Sequence, residues 1–193
     1  MQKQPSHIDI VLPDWVNEFA ERYQASTEPS AQMAFVLAAA HKNIQLKTGG
    51  PFAAAIFNIE DGELISLGVN LVTTQGLSIL HAEMVAIAIA QRRLQTYDLS
   101  QASQTMRLVS STEPCAMCLG AIPWSGVREV CTGARDEDAR AIGFDEGAKP
   151  QNWVGSLNER GISVSTDILH QEARDILAFY QETEGTIYSP GKN

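Results

Sequence analysis

The sequence predicts an α/β fold, a three-layer α-β-α arrangement around a mixed central sheet of about five strands. Three observations predict it. Strand-like and helix-like segments alternate in the order α-β-β-α-β-α-β-α-β-α, which places helices on the faces of a sheet. One pair of strands is joined at Asp61-Gly62, a strong hairpin signal that requires an antiparallel pair. The remaining strands are separated by helical stretches, which favours parallel neighbours.

Taken in order, residues 1–29 read as an N-terminal extension, helical around Pro13 to Tyr23. Pro29-Ser30 opens an apolar helix through Met33, Phe35, Val36, Leu37 and Ile44, because proline suits the first helical turn; Gly49-Gly50 ends it. Phe52–Ile59 and Glu63–Asn70 form the hairpin strands. His81 opens a helix over the apolar run Met84 to Ala90, continuing to about Gln95. Thr105–Thr112 is the next strand and delivers Cys115 at its end, and a helix follows to Gly126. Glu129–Ala134 reads as a buried strand. Asp136–Ile142 is a short helix whose acidic first turn suits the helix dipole. Ile162–Thr166 is the last strand and Gln171–Glu182 an amphipathic helix. No repeat or linker divides the chain, so residues 30–193 are expected to form one domain.

The whole chain narrows the function. At 193 residues it can bury a sizeable core. Three cysteines make no disulfide framework. No apolar run is long enough to span a bilayer, and the N-terminus shows no secretory h-region, so a cytoplasmic location without membrane attachment is expected. The net charge is −9. Lys and Arg are scattered, with Arg92-Arg93 their only adjacent pair, which speaks against nucleic acid and for a small free substrate.

The chemistry lies in His81-Ala82-Glu83 and Pro114-Cys115-Ala116-Met117-Cys118. This H-x-E…P-C-x-x-C order is the signature of zinc deaminases. Zinc takes imidazole nitrogen and thiolate sulfur, and three protein ligands leave its fourth place for water. Cys115 and Cys118 stand at i, i+3 and share a helix face. Pro114 suits a helix start, where the dipole lowers a thiol pKa. Glu83, not itself a ligand, would move protons. Two other readings remain for these residues: a redox C-x-x-C pair, and a closed structural zinc site completed by Cys131. Glu83 favours the catalytic reading, since structural zinc needs no carboxylate there. Cys131, inside a strand, reads as a core thiol.

At these residues the chain resembles the cytidine deaminase superfamily, and within it the bacterial guanine deaminases and related nucleoside deaminases. The resemblance extends to Gly49-Gly50-Pro51-Phe52-Ala53, Gly68-Val69-Asn70, Cys118 to Trp124, Gly143-Phe144-Asp145-Glu146-Gly147 and the terminal Tyr188. It spans about residues 30–190. It implies a cytidine deaminase-like fold with one zinc per chain on His81, Cys115 and Cys118, and Glu83 as proton shuttle. Asn70 would hydrogen-bond the base, while Phe52, His81 and Trp124 enclose its ring. Asp145-Glu146 would face the substrate, Glu146 reading the purine edge or assisting proton transfer. Tyr188 would close the pocket, in a C-terminal segment that family members often exchange across a homodimer. Ala53, where glycine commonly follows the phenylalanine, and Pro123, in place of a bulkier residue, depart from the family pattern. The implied reaction is hydrolysis of guanine to xanthine and ammonia. The alternatives are cytosine, a nucleoside, an aminotriazine or tRNA adenosine as substrate, or a zinc protein without activity.

Overall fold

A computed structural model of the chain describes residues 3–189. Its centre is a five-stranded sheet in the order β2-β1-β3-β4-β5. Strands β1 (Ala53–Asn58) and β2 (Leu64–Val69) form the expected antiparallel hairpin. Gly62 takes φ +74°, and its amide donates to the Asn58 carbonyl at 3.0 Å. β3 (Met106–Thr112) runs antiparallel to β1, whereas β3, β4 (Glu129–Ala134) and β5 (Ser163–Ser165) run parallel to one another. The sheet is therefore mixed. Successive strand residues point to opposite faces, and every residue of β1 and of β3 is buried, so both faces are covered.

Helix α1 (Trp15–Glu21) and helix α2 (Pro29–Gln45) precede the hairpin. Pro29 stands in the first turn of α2. A single turn, α3 (Val72–Gln75), follows β2, and then comes α4 (Ala82–Leu94). Helix α5 (Ala116–Ser125) follows β3, while α6 (Asp136–Ala141) and α7 (Trp153–Asn158) lie between β4 and β5. Helix α8 (His170–Glu182) closes the order. α4 lies across β2 and β1, while α2 and α8 pack together on the β3–β4 side. α3 and α7, four and six residues long, escape the sequence reading because neither carries an apolar period or, unlike the equally short α6, an acidic first turn. α7 is started locally by the Asn152 side chain, which accepts the Gly155 amide at 3.1 Å.

From Trp15 onward the extension is packed on the body, whereas residues 3–11 are exposed. Trp15 and Val16 are buried, and Phe19 stacks on Phe35 with ring centroids 5.0 Å apart. Tyr23 meets Phe57 of β1 at 5.2 Å. Arg107 of β3 ties the following residues down. It donates to the Thr27 carbonyl and to Gln32 Oε1, each at 3.0 Å, and to Glu129 of β4 at 2.7 Å.

One glycine decides where the site can form. A Cβ on Gly68 of β2 would lie 2.3 Å from the Ala82 carbonyl oxygen and 2.5 Å from the Ala86 nitrogen. Only glycine lets the first turn of α4 settle this closely on the sheet.

Candidate active site

Two helix starts converge at the ends of β2 and β3. His81 is the N-cap of α4 and Cys115 the N-cap of α5, both in extended backbone. Glu83 and Cys118 lie in the first turns of these helices. Nitrogen and sulfur atoms of His81, Cys115 and Cys118 fall within 4.8 Å of one another. Cys115 Sγ is 3.5 Å from His81 Nδ1. This soft donor set suits tetrahedral zinc with one place left over, and among the described residues no other His, Cys, Asp or Glu joins it. Cys131 stays in β4, buried, and burial pushes its thiol up to about 11.

The electrostatics fit a cation. The Cys118 thiol bonded to Cys115, with His81 beside it, pulls the Cys115 thiol down to about 4 against the cost of burial. The Cys118 thiol moves the opposite way, raised by the same bond and by burial. Burial works against a charged His81, but the bond to Cys115 and the charge of Glu83 outweigh it and raise its pKa. A divalent ion relieves this crowding by taking the thiolates as ligands.

Glu83 is buried, and burial with the charge of Cys115 raises its carboxyl above the usual range. Ser110 of β3 donates to Glu83 Oε1 at 3.3 Å, and the Cys118 thiol to Oε2 at 3.4 Å. The carboxylate is thus aimed across the three ligands.

The pocket beside them is small, about 20 Å³, room for little more than one water. Phe52, Asn70, His81, Glu83, Cys115, Phe144, Asp145, Glu146 and Tyr188 line it, with the Phe52 and Phe144 rings edge to face at 4.9 Å. Asn70 is fully buried, with Oδ1 accepting the Val72 amide at 3.3 Å and Nδ2 donating to the Tyr188 hydroxyl. The Tyr188 ring meets Phe144 at 5.2 Å and His81 at 5.9 Å. Tyr180 directs this tail by donating to the Thr186 carbonyl at 2.8 Å. Glu146 is buried, and burial with the charges of Cys115 and Glu83 pushes its carboxyl up to about 8. Asp145 stands on the pocket rim, accepting the Gly147 amide at 2.9 Å, with Arg140 at 3.7 Å.

Trp124 is the one expected site residue that the structure does not bring to this pocket. It is 84% exposed, on the outer side of α5. Cys118, Leu119 and Ile122 set the buried face of that helix, and Trp124, two residues past Ile122, is turned away from it. It borders a surface groove with Tyr97 and Pro123 instead.

Sequence reasoning missed four supports. Ser110 and Thr112 are ordinary strand residues until β3 is placed next to α4. Glu113 lines the pocket and directly precedes the Pro-Cys turn, a position that could have marked it. Asn43 of α2 donates to the carbonyls of Gly50 at 2.9 Å and Asn70 at 3.1 Å, holding two pocket loops together. Nothing local announces Asn43.

Residues 26–134 match the family model described as the cytidine and deoxycytidylate deaminase zinc-binding region. Guanine deaminase of Bacillus subtilis is 43% identical over 98 residues, which are 51% of this chain and 59% of that enzyme. A solved structure of guanine deaminase from Nitrosomonas europaea superposes with TM-score 0.88 at 41% identity, covering 94% of this chain and all of that one. A structure in complex with 2,6-diaminopurine, 43% identical, superposes with TM-score 0.88 over 94% of this chain and 96% of its own.

Proposed function

The chain belongs to the cytidine and deoxycytidylate deaminase family, and on that premise we propose that it hydrolyses guanine to xanthine and ammonia. The observation that carries the reading is a second buried acid, Glu146, in the same closed pocket as Glu83 and the ligand triad. Guanine offers a ring N–H and an exocyclic amine, both donors, and a carboxylate on that edge recognises them. Cytosine has no such donor edge beyond its own amine. The likeness to guanine deaminases and to a structure holding 2,6-diaminopurine supports a purine.

His81, Cys115 and Cys118 hold the zinc, which supplies Lewis-acid activation of water at neutral pH. Glu83 takes the water proton, gives a proton to the ring nitrogen and later one to the leaving amine; a carboxyl raised by burial suits a group that both takes and gives protons. Asn70 hydrogen-bonds the base, and Phe52 and Phe144, packed edge to face, form an aromatic wall against it. Asp145 anchors the rim beside Glu146. Tyr188 covers the base and excludes water. A pocket of about 20 Å³ cannot admit a purine, so Tyr188 has to release Asn70 before substrate enters.

The catalytic domain is residues 30–193, with residues 1–29 as an N-terminal extension. The enzyme works in the cytoplasm as a homodimer. Two exposed aromatics, Trp124 and Tyr97, on one groove support a second copy there, since contiguous exposed apolar surface marks an interface.

Ammonia release from guanine, adenine, cytosine, nucleosides, aminotriazines and a tRNA anticodon stem-loop tests the reading. Guanine is expected to be the best substrate. Turnover of cytosine or the stem-loop with none of guanine would overturn it.

A further inference from the structure

Lys149 is nearly buried, with 7% of its side chain exposed, yet it does not line the pocket. Its Nζ donates to Glu113 Oε2 at 2.8 Å and lies 3.2 Å from Asp136 Oδ1. It also sits over the Trp153 ring, 5.1 Å from the centroid. A buried ion pair is an expensive way to gain stability, and its best-attested use is to fix register. Here it joins two segments of the site. Glu113 immediately precedes the Pro114–Cys115 turn and also accepts the Asp136 amide at 3.3 Å. Lys149 lies in the same loop as Glu146, three residues further on. In that loop the Glu146 carbonyl accepts the Ala116 amide at 2.9 Å. The Gly147 carbonyl accepts the Lys149 amide at 3.0 Å and Arg140 Nη2 at 3.0 Å.

We infer that Lys149 is a positioning residue: by bridging Glu113 and Asp136 it locks the Glu146 loop to the Cys115 turn, and so sets where the Glu146 carboxylate meets the substrate. The inference rests on Glu146 being the substrate-facing acid. Misplacement of such a group by a fraction of an ångström costs turnover rather than metal.

The test uses the zinc-loaded full chain. Lys149→Met is expected to keep one zinc per chain and to lower kcat on guanine, per bound zinc, about 10–10²-fold. Lys149→Arg is expected to recover most of that loss. Added to Glu146→Gln, Lys149→Met should cost no more than about twofold further, because the group it positions is already gone. A merely structural lysine would instead multiply the two losses, and that result overturns the inference, as does an unchanged kcat. Hydrogen exchange gives a readout without substrate: the Ala116 and Gly147 amides should exchange faster in Lys149→Met than in wild type. Should wild type ignore guanine, the proposed function falls, while unchanged protection at these two amides would overturn the clamp. If Lys149→Met does not fold, Lys149→Gln carries the same comparisons.

Discussion

At the scale of single residues, the site is a set of groups forced into states they would not adopt in water. Glu83 has its carboxyl raised by burial and by Cys115, and Ser110 fixes its direction. Replacing Glu83 by Gln keeps the shape and removes the base. Its kcat is expected to fall by about 10²–10⁴-fold, with zinc content and melting temperature near wild type. Metal analysis alongside steady-state kinetics checks this; near-normal kcat would refute the shuttle. Cys131 supplies the converse. It lies in β4 outside the ligand triad. Cys131→Ser should therefore retain one zinc per chain, whereas Cys115→Ser or Cys118→Ser should lose it.

Glu146 also predicts a pH effect in metal-stripped protein. Its folded pKa of about 8 lies above the usual 4.5. Between those values the folded state binds more protons than the unfolded one, so stability falls as pH rises. The slope is at most about 1.4 kcal/mol per pH unit for one group. Denaturant titrations of the stripped protein at pH 5 and 8 are expected to show this loss, and Glu146→Gln to reduce it. Equal slopes in both proteins would exclude Glu146 as the source.

At the scale of elements, function depends on where α4 begins. The His81 and Cys115 turns meet because α4 rests directly on β2, and Gly68 permits that contact. In Gly68→Ala the added carbon collides with backbone of α4, which cannot rotate away as a flexible side chain would. Overpacking of this kind costs typically about 1–3 kcal/mol. A lower melting temperature is expected, together with weaker zinc retention against a chelator, since the displaced turn carries His81. A drop in melting temperature with unchanged zinc retention would separate the helix seat from the ligand geometry. The α5 helix shows the limit of motif reading. The resemblance implies Trp124 against the base ring, but helical phase turns it outward in this chain.

At the scale of the whole molecule, a segment near each terminus packs on the body: Trp15 to Tyr23 at one, Thr186 to Tyr188 at the other. The extension is held by the Phe19–Phe35 and Tyr23–Phe57 contacts and by Arg107, and the C-terminal tail lays Tyr188 on the pocket. Arg107 is mostly buried and bonds Thr27, Gln32 and Glu129. Arg107→Met leaves these acceptors without their shared donor, and stability is expected to fall by about 2–4 kcal/mol, read by denaturant melts. A loss under about 0.5 kcal/mol would show that the extension is not anchored there.

The sequence by itself determined the five strands and their connecting helices, because apolar period, the Asp61-Gly62 turn and Pro29 act over a few neighbours. It also pointed to His81, Cys115 and Cys118 as a metal-ligand set with Glu83 beside them, because their spacing in two helix starts carries that signal, and the fold brings these four together. It could not determine the short helices α3 and α7, which carry neither an apolar period nor the acidic first turn that marks α6. Nor could it determine the supports that arrive from other elements: Ser110 from β3, Asn43 from α2, and Lys149 reaching Glu113 across 36 positions of chain. Those contacts are set by sheet order and helix phase, which place residues distant in sequence within a few ångströms. That is why the reacting groups could be read along the chain, while the residues that aim them became visible only in the fold.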